Sequence, residues 1–302
     1  MQQILGISRS PRFSPNSESR DEAIFNAVAT RLRHMGYAVS EVCEDKFTSA
    51  QGFAAAFSMA RDARVLRKLS ACEADGLTVV NSSQALLRNT RAALTRLFAD
   101  EGIPQPVSRC IDTFSFAGDW TIPVRGCWLK RGDACAQSQG DVRFISTDEE
   151  LSSAVQEFAL RGIRSAVLSE HLVGDLVKFY GVEGTDFFQY YYPTSGRCFS
   201  KFGLEEINGA PSLYPFEPAA LKICADRAAR LSGMPVYGGD CVVAHNGLFR
   251  IIDFNDWPSF SRCREAAADA IVEALELRLN GEAEVEISTA QEATDEVRQM
   301  AG

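Results

Sequence analysis

The sequence predicts an α/β chain that opens as a doubly wound layer and continues as α+β. Three observations predict it: a strand-helix-strand opening, a pair of prolines after the third expected helix, and a late run of strands around an Asn-Gly turn. Ile4 to Ser8 reads as a buried strand, followed by a Pro-, Ser- and Arg-rich loop to Ser19. Ala23, Ile24, Ala27, Val28, Leu32 and Met35 then recur at helical spacing, and Gly36 ends that helix before a strand from Tyr37 to Val42. Strand, helix, strand implies a parallel pair.

Phe53 to Leu69 is expected as a second amphipathic helix, Leu77 to Asn81 as a short strand, and the doubly wound unit closes near residue 85. Ser82 or Ser83 can cap a helix from Gln84 to Ala99, and Ile103-Pro104-Gln105-Pro106 marks a boundary after it. Strands are expected at Val124 to Leu129 and Val142 to Ile145, either side of a loop from Arg131 to Gly140. Thr147 with Glu150 three residues on is a capping box for a helix to about Leu160. Three strands follow at Ala166 to Leu168, Asp175 to Val182 and Asp186 to Tyr192. Pro218 suits the first turn of a helix ending near Gly233. Two strands flanking His245-Asn246-Gly247 form a hairpin, and a last helix runs from about Arg264 to Asn280, closed by Gly281.

Composition removes several classes of function. At 302 residues, 46% hydrophobic and 24% charged, the chain is neither disordered nor a disulfide scaffold. Its net charge of −9, densest in the acidic stretch from Glu282 to Gln299, argues against nucleic acid and anionic membrane as partners. Nine cysteines contain no C-x-x-C pair, and three histidines are too few for a histidine-rich metal site. With no signal-peptide pattern at Met1-Gln2-Gln3 and no long apolar run, reduced thiols and a cytoplasmic location are expected. Oligomeric state is left open, a homodimer included.

Chemistry concentrates in the late hairpin. Its two strands bring Asp240 and the pair Asp253 and Asn255 to one end of a ribbon, and residues 253 and 255 share a face because strand periodicity is two. Such hard oxygen donors suit magnesium; the alternative is that Asp253 and Asn255 merely end a strand. Lys130 leads into the loop Arg131 to Gly140, where Gly132, Ser138 and Gly140 permit close backbone approach to phosphate oxygens. Lys178 sits inside an otherwise apolar strand and needs an anion or solvent; for each lysine a surface position is the competing reading. Arg227 and Arg230 could clamp a carboxylate or phosphate, or stand exposed on their helix.

Taken in order, these pieces resemble the ATP-grasp superfamily over about residues 1 to 280. The ordered set is the β-α-β opening, the helix leading to Gly102-Ile103-Pro104-Gln105-Pro106, the strand and loop at Lys130, Ser169 to Gly174, then Asp240 and Asp253-x-Asn255. The resemblance implies an N-terminal α/β domain over 1–85 and two α+β subdomains, 86–172 and 173–281, that clamp ATP, with a polar acidic tail from 282 to 302. It implies that Lys130 and Lys178 are nucleotide lysines, that Glu170, His171 and Leu172 form the hinge meeting the adenine, and that Arg131 to Gly140 is the phosphate loop. Asp240, Asp253 and Asn255 would hold Mg2+. Asp-x-Asn followed by Pro258-Ser259-Phe260 is similar to the inositol-phosphate kinase branch, whereas many members carry Glu in place of Asp253.

The implied activity is ATP- and magnesium-dependent γ-phosphoryl transfer to a small-molecule acceptor. A carboxylate acceptor makes the enzyme a carboxylate-amine ligase acting through an acyl phosphate, with Arg227 and Arg230 the candidate catalytic contacts. A hydroxyl acceptor makes it a kinase, and loss of turnover would leave an ATP-binding module.

Overall fold

The computed structural model describes residues 2–14, 16–134, 138–193 and 209–281. The expected acidic tail and the centre of the Arg131 to Gly140 loop lie outside them. The chain falls into two compact units, one comprising the chain up to Gln84, Val182–Phe187 and the part from Ser259 on, the other Ala85–Gly181 and Phe188–Pro258.

In the first unit β1 (Gln3–Ser8), β2 (Ala38–Cys43), β3 (Ala55–Ser58) and β4 (Thr78–Val80) form a wholly parallel sheet in the order β2-β1-β3-β4. Helix α1 (Glu18–His34) connects β1 to β2, and α2 (Ala63–Ala74) connects β3 to β4. These crossovers run in opposite directions along the sheet, so right-handed connections put the helices on opposite faces, the expected double winding. The last helix, α7 (Arg264–Leu279), packs along α1 and reaches β3 and β4. Ile4, Ile7, Ile24, Leu32 and Phe57 are fully buried between these layers.

The second unit holds two antiparallel sheets. One, ordered β5-β8-β6-β7, consists of β5 (Ser108–Asp112), β6 (Cys127–Arg131), β7 (Val142–Ile145) and β8 (Ser165–Glu170). Helix α5 (Asp148–Leu160) covers it, burying Leu129, Ile145, Phe158 and Leu168 together. The other, ordered β10-β9-β11-β12, consists of β9 (Asp175–Val182), β10 (Phe188–Tyr191), β11 (Val236–Val243) and β12 (Phe249–Asp256). Helices α4 (Arg91–Asp100) and α6 (Pro218–Ser232) pack against one of its faces through Phe98, Leu221 and Ala225 on Val177, Phe179, Tyr237 and Phe254. Among the described residues no helix is long and apolar enough to cross a membrane.

Local signals explain most boundaries. Pro218 opens α6 and Gly233 closes it in the left-handed region at φ 66°. Thr147 accepts the Glu150 N–H at 3.2 Å, while the Glu150 carboxylate reaches back to the Ser146 N–H rather than that of Thr147. The hairpin exists, but its turn is four residues, Ala244 to Gly247, with Gly247 at φ 82° donating to the Ala244 carbonyl.

Four expectations are corrected. Phe53 to Leu69 is strand β3 and then helix α2, because the apolar run Ala54 to Met59 is buried almost throughout and Asp62 caps a new helix by accepting from the Arg64 N–H. Gln84 to Ala99 is two helices, α3 (Ser83–Arg88) and α4, separated where extended Thr90 accepts from the Ala93 N–H. The strand expected from Val124 begins only at Cys127, since Pro123 to Gly126 is a turn. Strand β5, pairing with β8, was not expected at all.

Candidate nucleotide and metal site

The sheet β10-β9-β11-β12 has one core face and one open face. On β9 and β11 the side chains of Val177, Phe179, Tyr237, Cys241 and Val243 enter the core, which leaves Lys178, Tyr180, Gly238 and Asp240 on the open side. Strand β12 changes face partway. Pairing passes from Cys241 opposite Ile251 to Asp240 opposite Asp253, so Ile252 is an extra, bulged residue. Before it, Phe249 and Ile251 face the core; after it, Phe254 does. The bulge therefore turns Asp253 and Asn255 onto the open face beside Asp240.

Positive charge gathers around Asp253. Lys130 on β6 donates from Nζ to the carbonyl of bulged Ile252 at 2.9 Å. Arg91, the first residue of α4, reaches Asp253 Oδ1 at 3.2 Å and also donates to the carbonyls of Arg131 and Ala134. Asn255 donates from Nδ2 to Asp253 Oδ2 at 3.0 Å. Burial pushes the Asp253 carboxyl upward, but Arg91 and Lys130, helped by the Asn255 hydrogen bond, outweigh it and hold the group well below the usual range. Burial lowers the Lys130 ammonium to about 8; Asp253 opposes that shift and Arg91 reinforces it. One strand further on, Lys178 bridges both oxygens of Asp240 at 3.2 Å.

The loop after Lys130 is pinned at both ends by fully buried Asp141. Its carboxylate accepts from Arg131 at 3.2 Å, from the N–H and hydroxyl of Ser138, and from Arg161. Gly132 is closely packed: its N–H goes to the Ser165 carbonyl, its own carbonyl to Ala92, and a Cβ would lie 2.6 Å from Ser165 Oγ. Gly140 lies against Arg161. At the expected hinge, Glu170 accepts from the Val107 N–H and from Arg250, and the N–H groups of Glu170 and His171 go to the carbonyls of Val107 and Gly126. His171 Nδ1 accepts from Trp128 Nε1 at 3.1 Å, with the Phe144 ring against both, and Leu172 is half-buried next to it.

The structure thus brings Lys130, Asp240, Asp253, Asn255 and Lys178 to one region. Arg227 stands apart from them, exposed on α6 and donating to the Glu101 carbonyl at 2.6 Å; Arg230 lies in the last turn of the same helix. Arg91 is the cation that sequence reasoning missed. A weak signal existed: a cation at the first position of a helix is disfavoured by the helix dipole by about 0.3 to 1 kcal/mol, which a nearby anion offsets. The expected single helix across Asn89-Thr90 hid that position.

Two carboxylates and an amide oxygen on adjacent strands are a donor set chemically suited to magnesium, which keeps several ligands for water and phosphate. Among the described residues no group of three or more His, Cys, Asp and Glu side chains is assembled for a metal, so a purely protein-enclosed ion has no cage.

No protein-family model matches the sequence, and no curated protein matches it significantly. Solved structures do. The D-alanine–D-alanine ligase from Coxiella burnetii superposes with a TM-score of 0.67 at 12% identity, covering 97% of this chain and all of its own. A RimK-domain ATP-grasp protein from Sphaerobacter thermophilus gives 0.61 at 16% identity, over 90% of this chain and 99% of that one. The D-alanine–D-alanine ligase from Bacillus anthracis complexed with ATP gives 0.63 at 12% identity, over 93% and 99%. The chain has the ATP-grasp fold.

Proposed function

We propose that this protein is an ATP- and magnesium-dependent enzyme that activates a small carboxylic acid as its acyl phosphate and passes the acyl group to an amine. The observation carrying this reading is the switch of face on β12, which sets Asp253 and Asn255 beside Asp240 and within the field of Arg91 and Lys130.

Phosphoryl transfer asks a protein mainly to position reactants and to balance the charge that develops on the β- and γ-phosphate oxygens. Arg91 and Lys130 would supply fixed positive charge on the side of Asp253, and the loop held by Asp141 would place backbone against the phosphates. Asp240, Asp253 and Asn255 would hold Mg2+, which when bound neutralises phosphate charge. Lys178, across Asp240 from those cations, would meet the incoming carboxylate. The carboxylate oxygen attacks the γ-phosphorus, the bond to the β–γ bridging oxygen breaks and ADP leaves. The amine nitrogen then attacks the acyl carbon, orthophosphate leaves and the amine loses a proton.

The ligases among the structural neighbours support this class over a kinase. Of the short similarity to the inositol-phosphate kinase branch, Pro258 has a packing role of its own: it closes over Gly238, where a Cβ would lie 2.8 Å from Pro258 Cγ. Incubation with ATP, magnesium and pooled acids and amines should release ADP and orthophosphate in equal amounts. ADP with a phosphorylated product and no free phosphate would instead establish a kinase, and ATP binding without turnover a binding module.

A further inference from the structure

The open face of the β10-β9-β11-β12 sheet continues beyond the carboxylates, and its cross-strand pairs form two rows. Tyr191 lies opposite Lys178 and Gln189 opposite Tyr180. Lys178 meets Asp240, which lies opposite Asp253. Tyr180 adjoins Gly238, where a Cβ would lie 2.9 Å from its ring, and Gly238 lies opposite Asn255. One row therefore reads Tyr191, Lys178, Asp240, Asp253 and the other Gln189, Tyr180, Gly238, Asn255. The rows divide by chemistry. Toward β12 stand the metal donors with Arg91 and Lys130; toward β10 stand two phenols and an amide, neutral groups that both donate and accept. The phenols are tied to each other, Tyr180 Oη to Tyr191 Oη at 2.9 Å, which fixes where their oxygens sit.

Resting on the ligase reading, we infer that the β9–β10 half of this face seats the acceptor acid, and that the acid carries an uncharged amide or hydroxyl group recognised by Tyr180, Tyr191 and Gln189. Adjacent strands lie about 4.8 Å apart, so Tyr191 is about 10 Å from Asp240 across the sheet. A carboxylate held at Lys178, one strand from Tyr191, and turned toward the γ-phosphate on the Asp240 side would leave the neutral polar end of a short molecule at the phenols. Neutral hydrogen-bonding groups select strongly against partners that leave them unsatisfied, so this end discriminates amide- or hydroxyl-bearing acids from plain alkyl acids and from phosphorylated acceptors.

The test uses the full chain with ATP and magnesium, trapping the acyl phosphate with hydroxylamine and reading hydroxamate. The probes are N-acetylated amino acids, 2-hydroxy acids, straight-chain alkyl acids and sugar phosphates, compared for wild type, Tyr180→Phe, Tyr191→Phe and Gln189→Ala. ATP binding followed by calorimetry verifies that each variant is folded. The expected result is hydroxamate from an amide- or hydroxyl-bearing acid, with the acceptor KM raised about tenfold in each tyrosine variant and ATP affinity unchanged. Hydroxamate formation with acceptor KM within twofold of wild type in all three variants, or with alkyl acids preferred, overturns the acceptor seat and leaves the ligase reading standing. ATP binding with no hydroxamate from any acid overturns the ligase reading, and the acceptor seat falls with it.

Discussion

The parallel sheet of the first unit and the β10-β9-β11-β12 sheet of the second use strands in opposite ways. In β1 and β3 the central residues are buried on both faces, so every side chain serves packing. The other sheet buries one face in the core and leaves Lys178, Tyr180, Asp240, Asp253 and Asn255 half-buried on its second face. A sheet covered on both sides offers chemistry only at its strand ends, whereas a half-covered one presents a whole grid of side chains. The same number of strands thus yields a scaffold in one unit and a working surface in the other.

If that contrast is right, a change on the open face should abolish chemistry without unfolding the protein. Asp253→Ala is expected to lower ATP-dependent phosphate release about a hundred- to a thousandfold, the scale seen when one preorganised group is removed from a transition state. The circular dichroism spectrum should match wild type. Phosphate release from the variant within tenfold of the parent would remove Asp253 from the site.

A change inside the covered sheet should do the reverse. A Cβ on Gly6 would lie 2.5 Å from Phe57 Cζ and 2.9 Å from Phe25 Cζ, rings that close over β1 from its neighbours. Gly6→Ala should cost about 1 to 3 kcal/mol of stability through overpacking, read as a lower denaturant midpoint. The folded fraction should still bind ATP with the parent's affinity. Wild-type stability in this variant would mean that the layer yields more easily than its packing implies.

Legibility from sequence follows the same division. The parallel pair was readable because apolar runs and the helical spacing of Ile24, Val28 and Leu32 are local signals. The hairpin was readable from Asn246-Gly247, and period two placed residues 253 and 255 on a common face. Which face they share depends on the bulge at Ile252, a long-range register choice with no composition of its own. Arg91 was hidden by a helix break that rests on one Thr90 side chain. The run Ala54 to Met59 misled because a short, wholly buried strand and a helix segment have the same apolar content. The packing of α7 on α1, the last helix on the first, is announced by no local pattern.

The smallest expected effect concerns the proton on Lys130. Burial lowers its ammonium from 10.5 to about 8 in the folded chain, against the opposing pull of Asp253. The folded state therefore binds fewer protons than the unfolded one between about pH 8 and 10.5, so this group's contribution to stability rises with pH across that window and is least favourable below it. Nucleotide binding reverses the local balance, because phosphate oxygens favour the charged amine. At pH 8 ATP should therefore take up about half a proton per site, while at pH 6.5, where Lys130 is already protonated, uptake at this group should vanish. Calorimetric titration in two buffers of different ionisation enthalpy measures the difference directly. Lys130→Arg, whose guanidinium stays charged throughout, should bind ATP without that uptake. Equal uptake by the arginine variant would assign the proton to another group and detach Lys130 from the phosphates.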